Sequence, residues 1–282
     1  MDTLNELQYL TLLRKIMNEG ETRKDRTGIG TLSIFGEQLK FDLRTSFPAI
    51  TTKKLAWKAC KAELLWFLEG SRSELRLHNL THGLVLQRKP TIWEGNAYAD
   101  YWLPKAEFPG DLGKIYGYQW RNWNGVDQVE KLIHGLVNDP HGRRHILSAW
   151  NVDQLDQMAL PPCHVMSQYY VSRSGELSCH MYQRSVDTFL GLPFNIASYA
   201  LLTNMLAQVC GLKPGTLTIS TGDTHIYLNH LDQVREQLSR KPYEMPTLWL
   251  NPNVKLINEF TMEDIKLEGY QSHEAIKAPM AV

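Results

Sequence analysis

The chain has 282 residues, of which 43% are apolar, and its 30 Lys and Arg balance its 30 Asp and Glu. This length is sufficient for one large hydrophobic core. The zero formal net charge argues against a nucleic-acid or membrane surface that depends on bulk positive charge, so an anionic ligand needs a local cluster of basic residues.

Cysteine usage and the first residues bear on the cellular compartment. The four cysteines are Cys60, Cys163, Cys179 and Cys210. They form no Cys-x-x-Cys pair, which is typical of reduced thiols in the cytoplasm, and no spacing matches a zinc site. The start of the chain has no basic or strongly apolar segment, and no apolar run is long enough to span a bilayer. We therefore expect a cytoplasmic protein without a metal.

The first predicted elements are a helix, a strand and a second helix. Leucines at helical spacing predict an amphipathic helix over residues 4–20. Alternating residues over 30–43 predict a strand or hairpin. Residues 55–70 are apolar on most sides and end at Gly70, as a buried helix does.

The middle of the chain is less regular. Residues 71–108 show no clear period and contain several Gly and Pro, which predicts an insertion or lid. Residues 126–140 predict a helix closed by Asp-Pro.

Strands dominate the next part. Three strand-like runs follow at 143–151, 163–172 and 176–185, with Ser174-Gly175 as the two turn residues of a tight hairpin between the last two.

The last elements are a helix over 198–211 and a strand, turn and amphipathic helix over 217–239. With no repeat or linker, these elements predict one α+β domain over residues 1–282.

The predicted hairpin draws attention to Cys163. A two-residue turn places Val186 opposite Cys163, with Arg184 beside it. A neighbouring cation lowers a thiol pKa from about 8.5 toward neutrality, which favours a reactive thiolate. His164 points to the opposite face of the strand, so a Cys–His dyad is not expected. The alternative at this point is a buried structural cysteine, the commoner role of a free thiol.

Basic residues and one acid form the other candidates. Arg26, Arg143, Arg144 and Arg184 could bind a phosphate without a Gly-rich loop, although an Arg-Arg pair is also typical of a solvated surface. Glu63 lies among apolar residues, where burial would raise its pKa and suit it to proton transfer. The alternative is an exposed acid near Lys61.

Nine segments together resemble the thymidylate synthase family. They are, in chain order, "DRTGIGTLSIFG", "FPAITTKK", "ELLWFLEG", "DLGKIYGYQW", "RRHILSAWN", "PPCHVMSQYY", "YQRSVDTFLGLPFNIASYALL", "GDTHIYLNH" and "IKAPMAV". The resemblance runs from Arg26 to Val282 and weakens at residues 71–108. It implies a large mixed β-sheet packed against helices, a homodimer formed through one sheet face, and reductive methylation of dUMP to dTMP with 5,10-methylenetetrahydrofolate.

The resemblance also implies roles for individual residues. The implied catalytic residues are Cys163, Glu63, Tyr116, Arg184, Asp187 and Asn195. The implied dUMP-binding residues are Arg26, Arg143, Arg144, Gln183, Ser185, Asn195, His225 and Tyr227, with Arg143 and Arg144 supplied by the other subunit. The implied folate-binding residues are Trp93, Asp187, Leu190, Gly191 and Val282.

Departures from the family pattern leave a second activity open. Glu94-Gly95-Asn96 follows Trp93 where many members have another aromatic or acidic residue, and Ser167, His180 and Thr221 also differ. Water entering the folate side would convert the methylene intermediate to 5-hydroxymethyl-dUMP, as in a dUMP hydroxymethylase. A non-catalytic nucleotide- or RNA-binding regulator is the third hypothesis, which the zero net charge disfavours.

Overall fold

The computed structural model describes residues 4–85 and 88–280. Within this part of the chain the α-helices are α1 (Leu4–Glu19), α2 (Trp57–Leu68), α3 (Glu74–His82), α4 (Glu94–Ala97), α5 (Tyr116–Arg121), α6 (Gln128–Asn138), α7 (Gly191–Val209) and α8 (Leu231–Ser239). Short 3₁₀ helices lie at Leu103–Lys105, Val152–Gln157, Leu228–His230, Ile257–Glu259 and Met262–Asp264. No helix in the described ranges is long and apolar enough to cross a membrane.

A six-stranded mixed sheet forms the centre of the fold. The strands of this sheet are β1 (Glu21–Arg23), β2 (Thr31–Asp42), β3 (Ile146–Ser148), β4 (His164–Val171), β5 (Glu176–Asp187) and β6 (Lys213–Tyr227). Two further strands are β7 (Thr247–Leu250) and β8 (Ile265–Glu268). The large sheet has the order β1-β2-β6-β5-β4-β3, and β7 and β8 form a separate pair. Only β5 and β6 pair in parallel within the large sheet, because α7 carries the chain back across it between them. The predicted α+β fold with a mixed sheet is confirmed.

One face of this sheet is covered by helices and the other is exposed. Alternate residues of β5, such as Cys179 and Met181, are buried, and the sheet packs on this side against α1 and α7. His180 and Tyr182 point to the opposite, exposed face. The buried helix predicted over 55–70 is α2, which ends before Gly70 at a positive φ of 68°.

The β4–β5 hairpin has a different register from the predicted one. Its loop has three residues, 173–175, because Ser172 N donates to Glu176 O and Gly175 adopts a positive φ of 76°. A bulge after His164 shifts the register by one more residue. Arg184 N consequently donates to Cys163 O over 2.8 Å, so Cys163 faces Arg184 and not Val186.

The segment 71–108 is more ordered than its sequence indicated. It contains α3, where no helix was predicted, and Ser73 caps this helix by accepting a hydrogen bond from Arg76 N. The fully buried Glu74 carboxylate pairs with Arg88 and accepts a hydrogen bond from Thr91 Oγ1. Such buried, paired groups indicate a packed part of the domain.

Candidate active site

Cys163 lies at the entrance to β4, beside the guanidinium of Arg184 on β5. Arg184 Nε donates to Pro162 O over 2.8 Å and Nη2 to Pro161 O over 2.9 Å, and Nη2 is 3.8 Å from Cys163 Sγ. The arginine thus fixes the Pro-Pro turn and places a positive charge beside the thiol. The predicted pairing of Cys163 with Arg184 is present, although it arises from a different register.

The pKa of Cys163 differs from the expectation. Burial raises the pKa of this thiol above its ordinary value, while the charges of Arg184 and Arg26 and a hydrogen bond with Tyr116 lower it. Because dehydration is the largest of these effects, the expected shift toward neutrality is wrong for this structure. The two arginines limit a rise that burial would otherwise make larger.

His164 belongs to the wall behind the thiol. Its ring stacks on Tyr116 with centroids 4.0 Å apart, and its Nδ1 is 2.9 Å from Tyr199 Oη. Burial lowers the pKa of His164 to about 3, so it is a neutral hydrogen-bonding group at physiological pH. Tyr116 Oη also accepts a hydrogen bond from Cys163 N over 2.7 Å, which attaches the backbone of Cys163 to this wall.

Glu63 lies inside the fold, on the buried face of α2. Its side chain accepts a hydrogen bond from Trp93 Nε1 over 2.6 Å, and burial raises the pKa of the carboxyl to about 7. The alternative of an exposed acid beside Lys61 is wrong, because Lys61 Nζ donates to the carbonyls of Met262 and Ile265. A buried carboxyl that titrates near neutrality is suited to general acid–base catalysis.

Trp93 connects this acid to the thiol. Its ring centroid is 5.9 Å from that of Tyr116, the phenol that bonds to Cys163. Glu63, Trp93, Tyr116 and Cys163 therefore form one continuous series of contacts along the site.

Asp187 organises the turn between β5 and α7. Its Oδ1 accepts hydrogen bonds from Phe189 N over 2.9 Å and Leu190 N over 3.0 Å. Lys53, which the sequence analysis did not single out, donates to Phe189 O and lies 3.6 Å over the Phe189 ring. Burial lowers the pKa of Lys53 to about 7, while the charge of Asp187 opposes this shift.

An amide pair marks the first turn of α7. Gln183 Nε2 donates to Asn195 Oδ1 over 3.0 Å, which fixes the orientation of the Asn195 amide. Gly191 lies between Asn195 and Asp187, since a Cβ on it would be 3.7 Å from Asp187 Cβ and 3.9 Å from Asn195 Oδ1. The helix start thereby brings Gln183, Asp187, Gly191 and Asn195 together.

His225 and Tyr227 are neighbours at the end of β6. Their ring centroids are 5.1 Å apart, and His225 Nδ1 is 2.8 Å from Asp223 Oδ1. Asp223 also accepts a hydrogen bond from Ser33 Oγ over 3.0 Å, so the orientation of the His225 ring is held from two strands. Ser185 pairs with Asp223 across the sheet and lies near this group.

Arg26 lies in an exposed loop over residues 25–30. The side chain of Asp25 closes this loop by accepting hydrogen bonds from Thr27 N over 2.9 Å and Gly30 N over 2.8 Å. The charge of Arg26 lowers the pKa of both Cys163 and Tyr227, which places it within electrostatic reach of the site.

Arg143 and Arg144, which were predicted to act from the other subunit, are not brought to Cys163 of their own chain. Arg143 and Arg144 are exposed before β3, and Gln168 Nε2 donates to Arg143 O over 3.4 Å. Gln168 is five positions along β4 from Cys163, a separation of about 15 Å at the usual rise per residue. Within the described ranges neither arginine forms an ion pair. Val282 lies outside the described residues.

The residues that depart from the family pattern lie mostly away from Trp93. Ser167 is fully buried on the inner face of β4, where its Oγ donates to Tyr169 Oη. His180 is on the exposed sheet face beside Ser220 Oγ, and Thr221 Oγ1 is paired with Thr224 Oγ1. None of these hydrogen bonds is to Trp93, and the hypothesis that the three substitutions open the folate side stays a prediction.

Asn96 is one of the three departures that directly follow Trp93. Its Nδ2 donates to Tyr101 Oη over 3.1 Å, and Tyr101 donates in turn to Ala159 O over 2.9 Å. This chain of hydrogen bonds joins the Trp93 segment to the turn before Cys163. In the described ranges no group of three or more His, Cys, Asp and Glu side chains could hold a metal ion.

Comparison with known proteins agrees with this geometry. The sequence model of the thymidylate synthase family matches residues 7–282. A protein of Escherichia phage T5 named as a probable thymidylate synthase is 53% identical over 278 residues, which cover 97% of this chain and 99% of that protein. The chain belongs to the thymidylate synthase family.

Proposed function

We propose that this enzyme is a methyltransferase that converts dUMP to dTMP, with 5,10-methylenetetrahydrofolate as the donor of both carbon and hydride. The observation that carries the proposal is the series of contacts from Cys163 through Tyr116 and Trp93 to Glu63. This series supports the proposal, because it joins the proposed nucleophile, Cys163, to the proposed proton carrier, Glu63.

In the proposed mechanism the Cys163 thiolate adds to C6 of the uracil ring. The addition makes C5 an enolate carbon, which can attack the one-carbon unit and so divides one difficult step into easier ones. Arg184 favours the thiolate from 3.8 Å and holds the Pro161–Pro162 turn that presents it. Loss of the C5 proton and cleavage of the bond between the one-carbon unit and the folate nitrogen would leave a methylene group on C5. Hydride from the folate would reduce this group to methyl as the Cys163 thiolate leaves C6, which gives dTMP, dihydrofolate and the free enzyme.

Glu63 and Tyr116 have different proton roles. The pKa of Glu63, about 7, allows it to give and take a proton at neutral pH near the folate and uracil O4. Burial raises the pKa of Tyr116 well above its ordinary value, so its phenol stays protonated. Tyr116 can assist loss of the C5 proton only as a relay through its hydrogen bonds.

The dUMP-binding residues divide by the part of the nucleotide that they contact. Arg26, Arg184 and Ser185 bind the phosphate, with Arg143 and Arg144 from a second subunit. His225 and Tyr227 bind the deoxyribose hydroxyl. Asn195, oriented by Gln183, offers one donor and one acceptor to uracil O4 and N3–H.

The folate lies against Trp93 in this proposal. Asp187 anchors its pterin, Leu190 and Gly191 line the adjoining turn, and Val282 closes the site. The ordered loop that follows Asp187 supports this assignment, because Asp187 is already fixed by two backbone N–H groups. When bound, the co-substrate supplies the carbon and the hydride.

We further propose a homodimer that acts in the cytoplasm. Tyr170 and Tyr182 are exposed on the open face of the sheet, and Phe35 lies beside Tyr182 with 78% of its surface exposed. Burial of these rings against a second copy would remove a large apolar area from water. The free state of all four cysteines supports a reducing compartment.

A product assay tests the reaction. Incubation with dUMP and 5,10-methylenetetrahydrofolate should give dTMP and dihydrofolate in equal amounts, with Cys163→Ser as the inactive control. Formation of 5-hydroxymethyl-dUMP and tetrahydrofolate would instead identify a hydroxymethylase. Absence of turnover with intact dUMP binding would support a non-catalytic nucleotide-binding protein.

A further inference from the structure

The last described residues, 270–280, form a strap along the active-site side of the domain. We call them the C-terminal strap. His273 N donates to Thr51 O over 2.8 Å, and Tyr270 Oη donates to Ile50 O over 2.9 Å. These contacts attach the beginning of the strap to the loop before Lys53. The far end of the strap has a different attachment, at Pro279.

That attachment is a buried imidazole. His230 is fully buried, and its Nε2 is 2.7 Å from the carbonyl oxygen of Pro279. Because a carbonyl only accepts hydrogen bonds, Nε2 carries the hydrogen and donates it to Pro279. The other ring nitrogen, Nδ1, is buried and has no hydrogen-bond partner among the residues that the structure describes. The contact to the strap is thus the one hydrogen bond that this ring makes within the described ranges.

The same imidazole contacts the nucleotide side of the site. Its centroid is 5.5 Å from the ring of Phe189, which follows Asp187, and 5.6 Å from the ring of Tyr227. Tyr227 belongs to the proposed deoxyribose pair, and Phe189 carries the carbonyl that Lys53 binds. His230 therefore joins the strap end to Phe189 and to Tyr227.

We propose that His230 is a positioning residue that docks the end of the C-terminal strap over the occupied site. This inference rests on the proposed function. A docked strap excludes water from the reacting centre, and water exclusion favours hydride transfer over hydration of the methylene intermediate. His230 itself touches neither substrate nor co-substrate.

The proposal predicts a specific pattern of kinetic change. The hydrogen bond that the variant loses is to the strap and not to a proposed dUMP-binding residue, so the dissociation constant for dUMP should change by less than about twofold. Loss of one hydrogen bond should raise the KM for 5,10-methylenetetrahydrofolate by about fivefold to tenfold and lower kcat. In the same variant, the fraction of 5-hydroxymethyl-dUMP among the products should rise.

The test compares His230→Leu with His230→Gln in the full-length protein. Leucine removes the donor, whereas glutamine keeps an N–H at the end of its side chain and should restore most of the folate KM and product ratio. His273→Leu is the matched control, because His273 lies at the attached beginning of the strap and bonds to Lys241 O. We expect its kinetic constants to stay within about twofold of wild type.

Carboxypeptidase digestion gives a second readout that does not depend on turnover. With dUMP and a non-reactive folate analogue bound, the strap end of the wild type should be cleaved more slowly, and His230→Leu should lose this protection. The inference would be overturned if the folate KM of His230→Leu were unchanged, or if His230→Gln changed the folate KM and product ratio as much as His230→Leu does. It would also be overturned if a lower Tm and weaker dUMP binding explained the whole change in His230→Leu. If the wild type makes no dTMP, the proposed function fails instead.

Discussion

The indole Nε1 of Trp93 donates a hydrogen bond to the carboxylate of Glu63 over 2.6 Å. Burial raises the pKa of Glu63 and this hydrogen bond lowers it, with burial the larger effect, so the carboxyl titrates near pH 7. The pair joins α2 to the segment before α4. The pKa of Glu63 therefore depends on a residue from another element.

The raised pKa of Glu63 makes folding stability depend on pH. Between pH 4.5 and about 7 the folded protein holds a proton that the unfolded chain has released, so the free energy of unfolding falls as pH rises. We expect this contribution to fall by about 3 kcal/mol across that range. Glu63→Gln keeps the acceptor for Trp93 and has no titration, so it should lack this part of the pH dependence.

Urea unfolding of both proteins from pH 4.5 to 8 measures the difference. Trp93→Phe serves as the control, because loss of the indole donor should raise the pKa of Glu63 further. A constant difference between wild type and Glu63→Gln at all pH values would show that Glu63 does not titrate in this window.

Removal of the Arg184 charge should make Cys163 less reactive. The charge lowers the pKa of Cys163, so Arg184→Met should raise that pKa by about one unit and slow iodoacetamide alkylation about tenfold at pH 7. Arg184→Lys keeps a charge and should lose less. Peptide mapping can follow Cys163 alone, because burial raises the pKa of Cys179 to about 12 and that of Cys210 to about 11.

The matched control for this experiment is Arg26→Met. Arg26 also lowers the pKa of Cys163, but less than Arg184 does. Its loss should therefore slow alkylation by a smaller factor. If Arg26→Met slowed alkylation more than Arg184→Met, Arg184 would not be the charge with the larger effect on the pKa of Cys163.

Asn195→Asp should change the choice of pyrimidine. A carboxylate only accepts hydrogen bonds, so it repels uracil O4 but can accept from the amino group of cytosine. We expect kcat/KM for dUMP to fall by at least about a hundredfold, with measurable binding of dCMP. Steady-state kinetics measure the change in kcat/KM, and competition of the two nucleotides in an equilibrium titration measures the binding of dCMP, with Gln183→Glu as a neighbouring variant for comparison. An unchanged preference for dUMP over dCMP would show that Asn195 does not select the pyrimidine base.

Hybrid dimers test the proposed sharing of residues between subunits. Cys163→Ala and Arg143→Ala homodimers should each have little activity, but mixing should form one site with both residues intact. About a quarter of the wild-type activity is expected, because half of the dimers are hybrids and each hybrid has one complete site of two. The control is a mixture of two separate preparations of the Cys163→Ala variant, which should remain inactive. No recovery would place Arg143 outside the partner's site.

The sequence allowed the main elements and the central residues to be predicted, but not their exact register. Cys163 was expected next to Arg184, and it is, although the turn length and the bulge after His164 were both missed. A bulge depends on how two strands fit together, and no single residue of β4 indicates it.

Other features of the site depend on contacts between distant segments. Lys53 could not be distinguished from an ordinary surface lysine, since its burial comes from packing against Phe189, far along the chain. The direction of the Cys163 pKa was also missed, because a hairpin shows the nearby cation and not the loss of water around the thiol. Glu63, in contrast, was identifiable from its apolar neighbours on one helix.

The two edges of the large sheet are β1 and β3, and each has only three residues. Short edge strands offer few unpaired N–H and C=O groups, so strand-to-strand joining of separate copies into longer sheets is disfavoured. β1 covers only the first three residues of β2, and side chains of α1 cover part of the rest, because Gln8 bonds to the backbone of Lys40 and Asn5 to that of Asp42. The short edges thus leave the exposed face with Tyr170 and Tyr182 as the surface for the proposed dimer, and a two-fold contact through that face would close at two molecules.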